Sequence, residues 1–528
     1  MSEFPISASP DGNIAFPYGL GTLKFVPGLL GSASYFEWLS QHAKWLDWYG
    51  YIDSKKLDAL DPQRPGEPNA WLFPLKINVP EMVAQKHANA LFGETNGDNT
   101  ASLTETNFLD GQGKSSEVCE AAKDLVNIVF RDSSFSAQQH QAAFLSQILG
   151  GYYFKVGWEP NISALSPCPI RISSLSPLFV IPIYDPANPW DLLEAHIVYD
   201  ISKEDAKINY GVEVETRIAL YHEHWTRKTY SIEIGGQNPT LISESGMQVV
   251  MKGANPWGFV PIVYIPHYLR KGQFYGTSHV PPLEGISTEY NSSLPDRGDA
   301  VKQVAGNNYW MRNTPGSVKM RKISEDIRPV VDLGTNNLGK DSPEIERFET
   351  GDVPDGMATY TNDLWSIIER VGSVPAVVWG ADEGSQRSSL TLAFRTWPMT
   401  SHINKERTLW TAGLMVLSRM ILLMAINKSV LGATEEMRDL RPVIKWPVIM
   451  PRDRMEEVNE MAIRVAGHFA SIEHAVRALS TGEDVPDHLD QIKADLTLLA
   501  PVKGSTSTNG TEGVVPAANS TVRRDMSA

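Results

Sequence analysis

The chain has 528 residues, too many for one ordinary hydrophobic core, so two to four subdomains are expected. A hydrophobic share of 42% and a charged share of 21% are ordinary for a soluble globular protein, and a formal charge of −15 argues against a protein that grips DNA along a large basic face, though not against one that lets DNA pass. Only Cys119 and Cys168 are present, which excludes a disulfide framework, a cysteine-rich metal site and CxxC chemistry, and suits a reducing compartment.

Met1 to Asn13 has neither a basic n-region nor an apolar h-region, so no signal peptide is expected. Residues 1–31 are rich in Gly, Pro and Ser and should lie extended. Residues 34–51 read as the first strong helix: Tyr35, Phe36, Leu39, Ala43, Leu46 and Tyr49 recur at helical spacing, and Trp38, Trp45 and Trp48 widen the apolar face. After a Pro-rich loop, Pro80 opens a helix that runs to Phe92 and stops at Gly93. Residues 95–114 are polar and read as a loop. Helical patterns follow at 116–131 and 136–149. The second ends at Gly150-Gly151 and passes straight into a strand, 152–158, in which Lys155 reads as a lysine on a solvated face.

Residues 170–234 are β-rich, with alternation at 178–183 and 193–199 and a hairpin formed by 216–224 and 228–234. Residues 253–266 give a turn and an apolar strand. A helical pattern at 280–305 contains Pro295, which should bend or split it. Residues 307–352 are short-ranged and Pro/Gly-punctuated, and carry Lys319, Arg321, Lys322 and Arg328 before Asp341, Glu344, Glu346 and Glu349.

Leu364, Trp365, Ile367, Ile368 and Val371 then mark a helix that stops at Gly372-Ser373-Val374-Pro375. A small loop, 380–389, holds Gly380, Asp382, Glu383, Gly384 and Arg387. A much longer helical pattern runs to about residue 430, with a kink expected at Pro398 and Arg395, Lys405 and Arg407 in its first half. Its segment 409–426 is the best membrane candidate, but it is short and carries Arg419 at its centre, so a buried helix is the better reading. A strand at 441–447, a periodic helix at 455–470, further short helices and a Gly/Ser/Thr/Asn-rich tail after 502 complete the chain.

Several of these segments resemble portal proteins of tailed double-stranded DNA bacteriophages. They are INVPEMVAQKHANALFGE, GGYYFKVGWEP, Asn255-Pro256 with Gly258-Phe259 and Pro261, Gly276-Thr277-Ser278, Val374-Pro375, Gly384-Ser385 and Ser388-Ser389-Leu390, all in collinear order. The resemblance implies an α+β ring subunit: an α/β wing at 1–280, stem helices at 281–306 and 354–373, and a small clip at 307–353. A tunnel loop would lie at 374–388, the long kinked helix and wing return at 389–450, a helical crown at 451–502 and a disordered tail at 503–528. It implies a dodecameric homo-oligomer at one vertex of the virion capsid, assembled in the host cytoplasm. Double-stranded DNA would pass without sequence specificity past Gly380, Asp382, Glu383, Gly384, Arg387 and Arg395. Terminase large subunit and a head-tail adaptor would dock on the clip through Lys319, Arg321, Lys322, Glu344 and Glu346, and capsid and scaffolding proteins would surround the ring. It implies no catalytic residue, cofactor, metal or membrane span.

Two other readings stand beside it. His222 and His224 share one face of a strand and could serve a metal-dependent hydrolase, given a third ligand from elsewhere in the fold. A soluble β-rich binding protein with helical arms is the other. Neither a Walker A string nor Gly-x-Ser-x-Gly occurs.

Overall fold

The amphipathic periodicities of the chain resolve into an α+β fold. The computed structural model describes residues 7–8, 14–15, 33–52, 76–92, 105–110, 113, 116–159, 168–185, 188–215, 217–236, 247–270, 272–305, 308–312, 331–332, 344–348, 353–381, 389–447, 449, 454–467, 469, 471–472, 475 and 491–493. In chain order the elements are β1 (Ser7–Ala8), β2 (Ile14–Ala15), α1 (Ala33–Tyr49), α2 (Val79–Phe92), β3 (Glu105–Leu109), α3 (Glu117–Asp132), α4 (Phe135–Leu149), β4 (Gly151–Trp158), β5 (Ile170–Leu175), β6 (Val180–Asp185), β7 (Asn188–Ser202), α5 (Lys203–Tyr210), β8 (Ile218–Thr226), β9 (Thr229–Gly236), β10 (Met247–Ala254) and β11 (Ile262–Pro266). There follow α6 (Val280–Ala305), β12 (Asn308–Arg312), β13 (Val331–Asp332), β14 (Glu344–Phe348), α7 (Asp355–Val371), α8 (Ser389–Lys428), β15 (Arg441–Lys445) and α9 (Arg454–Ala466).

Strands β6 to β10 form an antiparallel meander in the order β10-β9-β8-β7-β6, and β4 is the centre of a second antiparallel sheet, β11-β4-β5. The main core gathers α2, α3, α4 and α8 over that second sheet, with Phe92, Leu125, Phe135, Phe154, Trp410, Leu417 and Ile421 fully buried or nearly so. A second core packs Tyr35, Trp38 and Trp45 of α1 onto β6, β7 and Tyr153 of β4. The wide aromatic face of α1 is thus used for burial, as its three tryptophans suggested. A smaller core sets Val79 and Val83 of α2 against Leu283 of α6, Ile368 of α7 and Val374.

Two glycines allow the close approach that joins these layers. Gly150 ends α4 with φ +81°, a conformation open to glycine, and a Cβ there would stand 2.3 Å from the carbonyl oxygen of Gly276. In return, a Cβ on Gly276 would stand 2.0 Å from the Gly150 oxygen. That oxygen instead accepts from the backbone N–H of His267 at 2.9 Å.

One expectation is corrected and two are refined. Residues 95–114 are not all loop: β3 pairs antiparallel with β15, from Glu105 opposite Lys445 to Leu109 opposite Arg441. Its inward residues are Thr106 and Phe108, so the alternation is half polar and carries no hydrophobic signal. The β-rich region contains a helix, α5, capped at Ser202, whose Oγ accepts from Asp205 N–H at 3.0 Å, and closed by Gly211 at φ +70°. Pro295 does not split its helix, because α6 runs continuously from Val280 to Ala305. Tertiary contacts hold it: Asn291 Oδ1 accepts from Ile77 N–H at 2.7 Å, Asn291 Nδ2 donates to Ile77 O at 2.9 Å, and the Tyr290 ring meets that of Trp365 of α7 at a tilt, 5.5 Å between centres.

Helix α8 has 40 residues with Pro398 inside it. It is long and apolar enough to cross a membrane, yet much of its apolar surface is core. Residues 452–528 form a second compact unit, in which α9 is the main described element and Arg464 pairs with Glu460 one turn earlier at 2.5 Å.

Candidate functional site

The end of α7 is built to stop sharply. Gly372 N–H donates to Ile368 O at 2.8 Å, Ser373 takes φ +54°, and Pro375 starts a 3-10 turn at Ala376–Trp379. Gly380 closes that turn at φ +82°, with open space where a Cβ would lie. Helix α2 fixes the turn from the side: Lys86 Nζ donates to Val378 O at 3.1 Å and lies over the Trp379 ring. Asp382, Glu383, Gly384 and Arg387 lie outside the described residues. Arg395 is on the exposed face of the first turns of α8, near Phe394 and Trp397, which are 71% and 66% exposed.

Of the other basic residues in the first half of α8, Lys405 is exposed, whereas Arg407 is buried and out of reach of a phosphate. Arg407 is buried and donates to Leu91 O at 2.9 Å and to Pro447 O at 2.8 Å. Burial lowers its guanidinium from the ordinary value to about 10. Helical periodicity placed it near Arg395 along the chain, but it lies on the core-facing side.

Between α6 and α7, β12 pairs antiparallel with β14 and in parallel with β13. Glu344 and Glu346 lie on β14, opposite Arg312 and Trp310 of β12. Lys319, Arg321 and Lys322 lie outside the described residues.

A buried polar cluster lies where α2, α4, α6 and α8 meet. The rings of His87, His279 and His402 stand 4.8 to 5.0 Å apart, centre to centre, and His267 stands 4.7 Å from His279. One turn beyond His402, Glu406 is fully buried; its Oε1 accepts from Gln147 Nε2 at 2.6 Å and lies 3.2 Å from His267 Nδ1. Burial pushes the Glu406 carboxyl up, but His267 and Gln147 outweigh it and hold the group below its ordinary range. Burial lowers His87, and lowers His402 to about 3; burial with the neighbouring imidazoles holds His279 well below the usual range. Burial thus disfavours the protonated form of these three imidazoles. The cluster has no local sequence signature, because its members come from positions scattered across the chain; only the four-residue spacing of His402 and Glu406 on one helical face hints at it.

The β8 pair His222 and His224 does share a face, as its spacing required. Register brings His196 of β7 opposite His224, and their rings stack at 4.1 Å. His196 Nδ1 is 3.0 Å from His222 Nε2, and His224 Nε2 is 3.2 Å from Glu194 Oε2. One donor atom each from Glu194, His196 and His224 falls within 4.8 Å of the others, so the fold supplies the further candidate ligands that the sequence lacked nearby.

On the opposite face of β8, Glu223 is buried and bound by Lys155 Nζ at 2.5 Å, Tyr221 Oη at 2.9 Å and the Trp225 indole N–H. Lys155 is therefore a half-buried ion-pair partner rather than a solvated lysine. A cavity of about 1060 Å³ opens beside it, with Lys428 lying over Trp158 and Trp257 in its wall.

Set against known proteins, the chain matches no family model, and no curated protein matches it significantly.

Proposed function

We propose that this chain is the subunit of a portal: a homo-oligomeric, dodecameric ring at one capsid vertex of a tailed double-stranded DNA bacteriophage, through which the genome is packaged and ejected. The observation that carries this reading is the order and packing of α6, the small sheet, α7 and α8. Two helices that pack together bracket a three-stranded insertion, and α7 ends in a sharp turn shortly before a 40-residue helix begins. In a portal these are the stem, the clip, the tunnel loop and the long helix. The collinear sequence segments support the same assignment.

Surface chemistry agrees with a subunit that completes its burial against neighbours. Tyr360, Ile367 and Val371 of α7 are 40 to 48% exposed, and Phe394 and Trp397 of α8 more so. Single exposed apolar residues are ordinary, but this group falls on two consecutive helices. A head-to-tail contact that closes by rotation would cover it and give a ring. The net charge of −15 suits a channel that repels phosphate and lets DNA slide. The chain itself would do no chemistry. Terminase would supply the motor and dock, like the head-tail adaptor, on the insertion between α6 and α7; capsid and scaffolding proteins would hold the wing.

Glu194 and His196 beside His224 favour a second reading, a metal-dependent hydrolase. Against it, one His196 nitrogen already faces His222, and Glu194 is engaged by His224. Native mass measurement of the full-length chain tests the first reading: a closed oligomer of about twelve subunits is expected, and monomer at all concentrations would sink it.

A further inference from the structure

We propose that His87, His279 and His402 form a structural site for one divalent transition-metal cation, zinc being the best fit, that pins α2 and the entry to α6 onto α8. This goes beyond the portal reading and does not depend on it.

The argument starts from unspent donors. His87 Nε2 is 2.7 Å from Gly372 O, which assigns the proton to that nitrogen and leaves Nδ1 a lone pair. His87 Nδ1, His279 Nε2 and His402 Nε2 are all buried, and none has a hydrogen-bond partner. Leaving a buried polar atom unsatisfied costs about 1–3 kcal/mol each, so three at one place call for a common partner. One donor atom from each residue lies within 4.8 Å of the others. That bound exceeds the roughly 3.3 Å nitrogen–nitrogen edge of a tetrahedral zinc site by at most about 1.5 Å, within reach of small ring rotations.

The charge balance points the same way. Glu406 is fully buried, and its Oε2 has no hydrogen-bond partner beside the imidazole cluster. A dication bound by the three imidazoles would stand close to that acidic side chain, a favourable pairing in a buried site. Glu406 is also placed to orient the site, through the His267 ring 3.2 Å away.

The supporting shell is rigid. His279 N–H donates to Gln147 O at 2.9 Å, while the Gln147 side chain donates to Glu406, so the end of α4 holds two members of the cluster. His267 N–H is fixed on Gly150 O beside the Gly150–Gly276 contact. The Tyr268 ring is nearly parallel to that of His402, 6.2 Å from it centre to centre. Three imidazoles on rigid elements supply three corners of a tetrahedral ion and leave the fourth for a water. The Glu194–His196–His224 group is the weaker candidate, because His224 Nε2 already pairs with Glu194 and His196 Nδ1 with His222.

The test uses untagged full-length protein, stripped with a chelator and titrated with Co²⁺. One equivalent per subunit should bind with the intense visible bands of a tetrahedral site and be displaced by Zn²⁺. Zinc-edge absorption should then show imidazole nitrogens at about 2.0 Å. His402→Gln, at the least buried of the three positions, should weaken binding at least 100-fold, whereas the His196→Gln/His224→Gln variant should keep it. The proposal is overturned if the wild-type protein takes up no stoichiometric Co²⁺ or Zn²⁺. It is equally overturned if His402→Gln retains full affinity, or if the metal is lost only from the His196→Gln/His224→Gln variant.

Discussion

Arg407 Nε donates to the carbonyl oxygen of Leu91 at 2.9 Å, so the long helix α8 caps the last turn of α2. Its Nη1 reaches Pro447 O at 2.8 Å, and its guanidinium lies 5.0 Å from the Trp446 ring. A basic residue early in α8 thus serves the fold and not a nucleic acid. Arg407→Met should cost about 2–4 kcal/mol through lost charge-assisted hydrogen bonds. Urea unfolding checks this, and binding of double-stranded DNA should be unchanged. A variant of wild-type stability with weakened DNA contact would reverse the assignment.

Lys155 and Glu223 join the two main sheets. Removing the lysine in Lys155→Met strands a buried carboxylate and should destabilise by about 3–5 kcal/mol. The double variant Lys155→Met/Glu223→Gln should recover part of that loss. Burial raises the Glu223 carboxyl, but Lys155, Trp225 and Tyr221 outweigh it, and the net shift is downward. A depressed carboxylate stabilises above its unfolded pKa, and that contribution fades as pH falls through the folded value. In Lys155→Met the trend should invert below about pH 5, since protonation then relieves the stranded charge. Chemical unfolding across that range separates the two patterns.

His42 of α1 provides a second pH dependence, of different origin. It is buried beside Trp38, its Nε2 has no partner, and burial lowers it to about 4 despite a hydrogen bond with the Leu178 backbone. The folded chain therefore resists a proton that the unfolded chain accepts. Stability should be full above about pH 6.5 and fall by up to about 3 kcal/mol as pH drops toward 4. His42→Gln should flatten that slope in thermal unfolding scans; an unchanged slope would assign it to other groups.

The loop after α7 is expected to need its glycines. Gly380 sits at φ +82°, which proline cannot adopt. The Gly380→Pro/Gly384→Pro variant should assemble normally and fail to package or retain DNA, because the change lies away from the main core. Normal packaging by intact variant rings would refute the role of the loop.

Much of this architecture was legible where periodicity was strong. The α1 tryptophans, the passage from α4 through Gly150 into β4, the β8–β9 hairpin and the stop at Gly372 all follow from spacing and from glycine or proline chemistry. What stayed hidden depends on partners distant in sequence. Strand β3 exists because β15 pairs with it, and α6 stays whole across Pro295 because Asn291 and Tyr290 are held by neighbours. His87, His279 and His402 are each unremarkable in their own windows, and only packing brings them together. Arg407 shows the converse: its charge suggested a surface role, and its place on the helical face decided otherwise.

Electron microscopy of the purified full-length chain in negative stain tests the portal assignment most directly. Class averages should show a closed ring with a central channel, and a reconstruction should place residues 380–388 at the channel's narrowest point. Uniform monomers, or rings carrying that loop on the outer rim, would contradict the account.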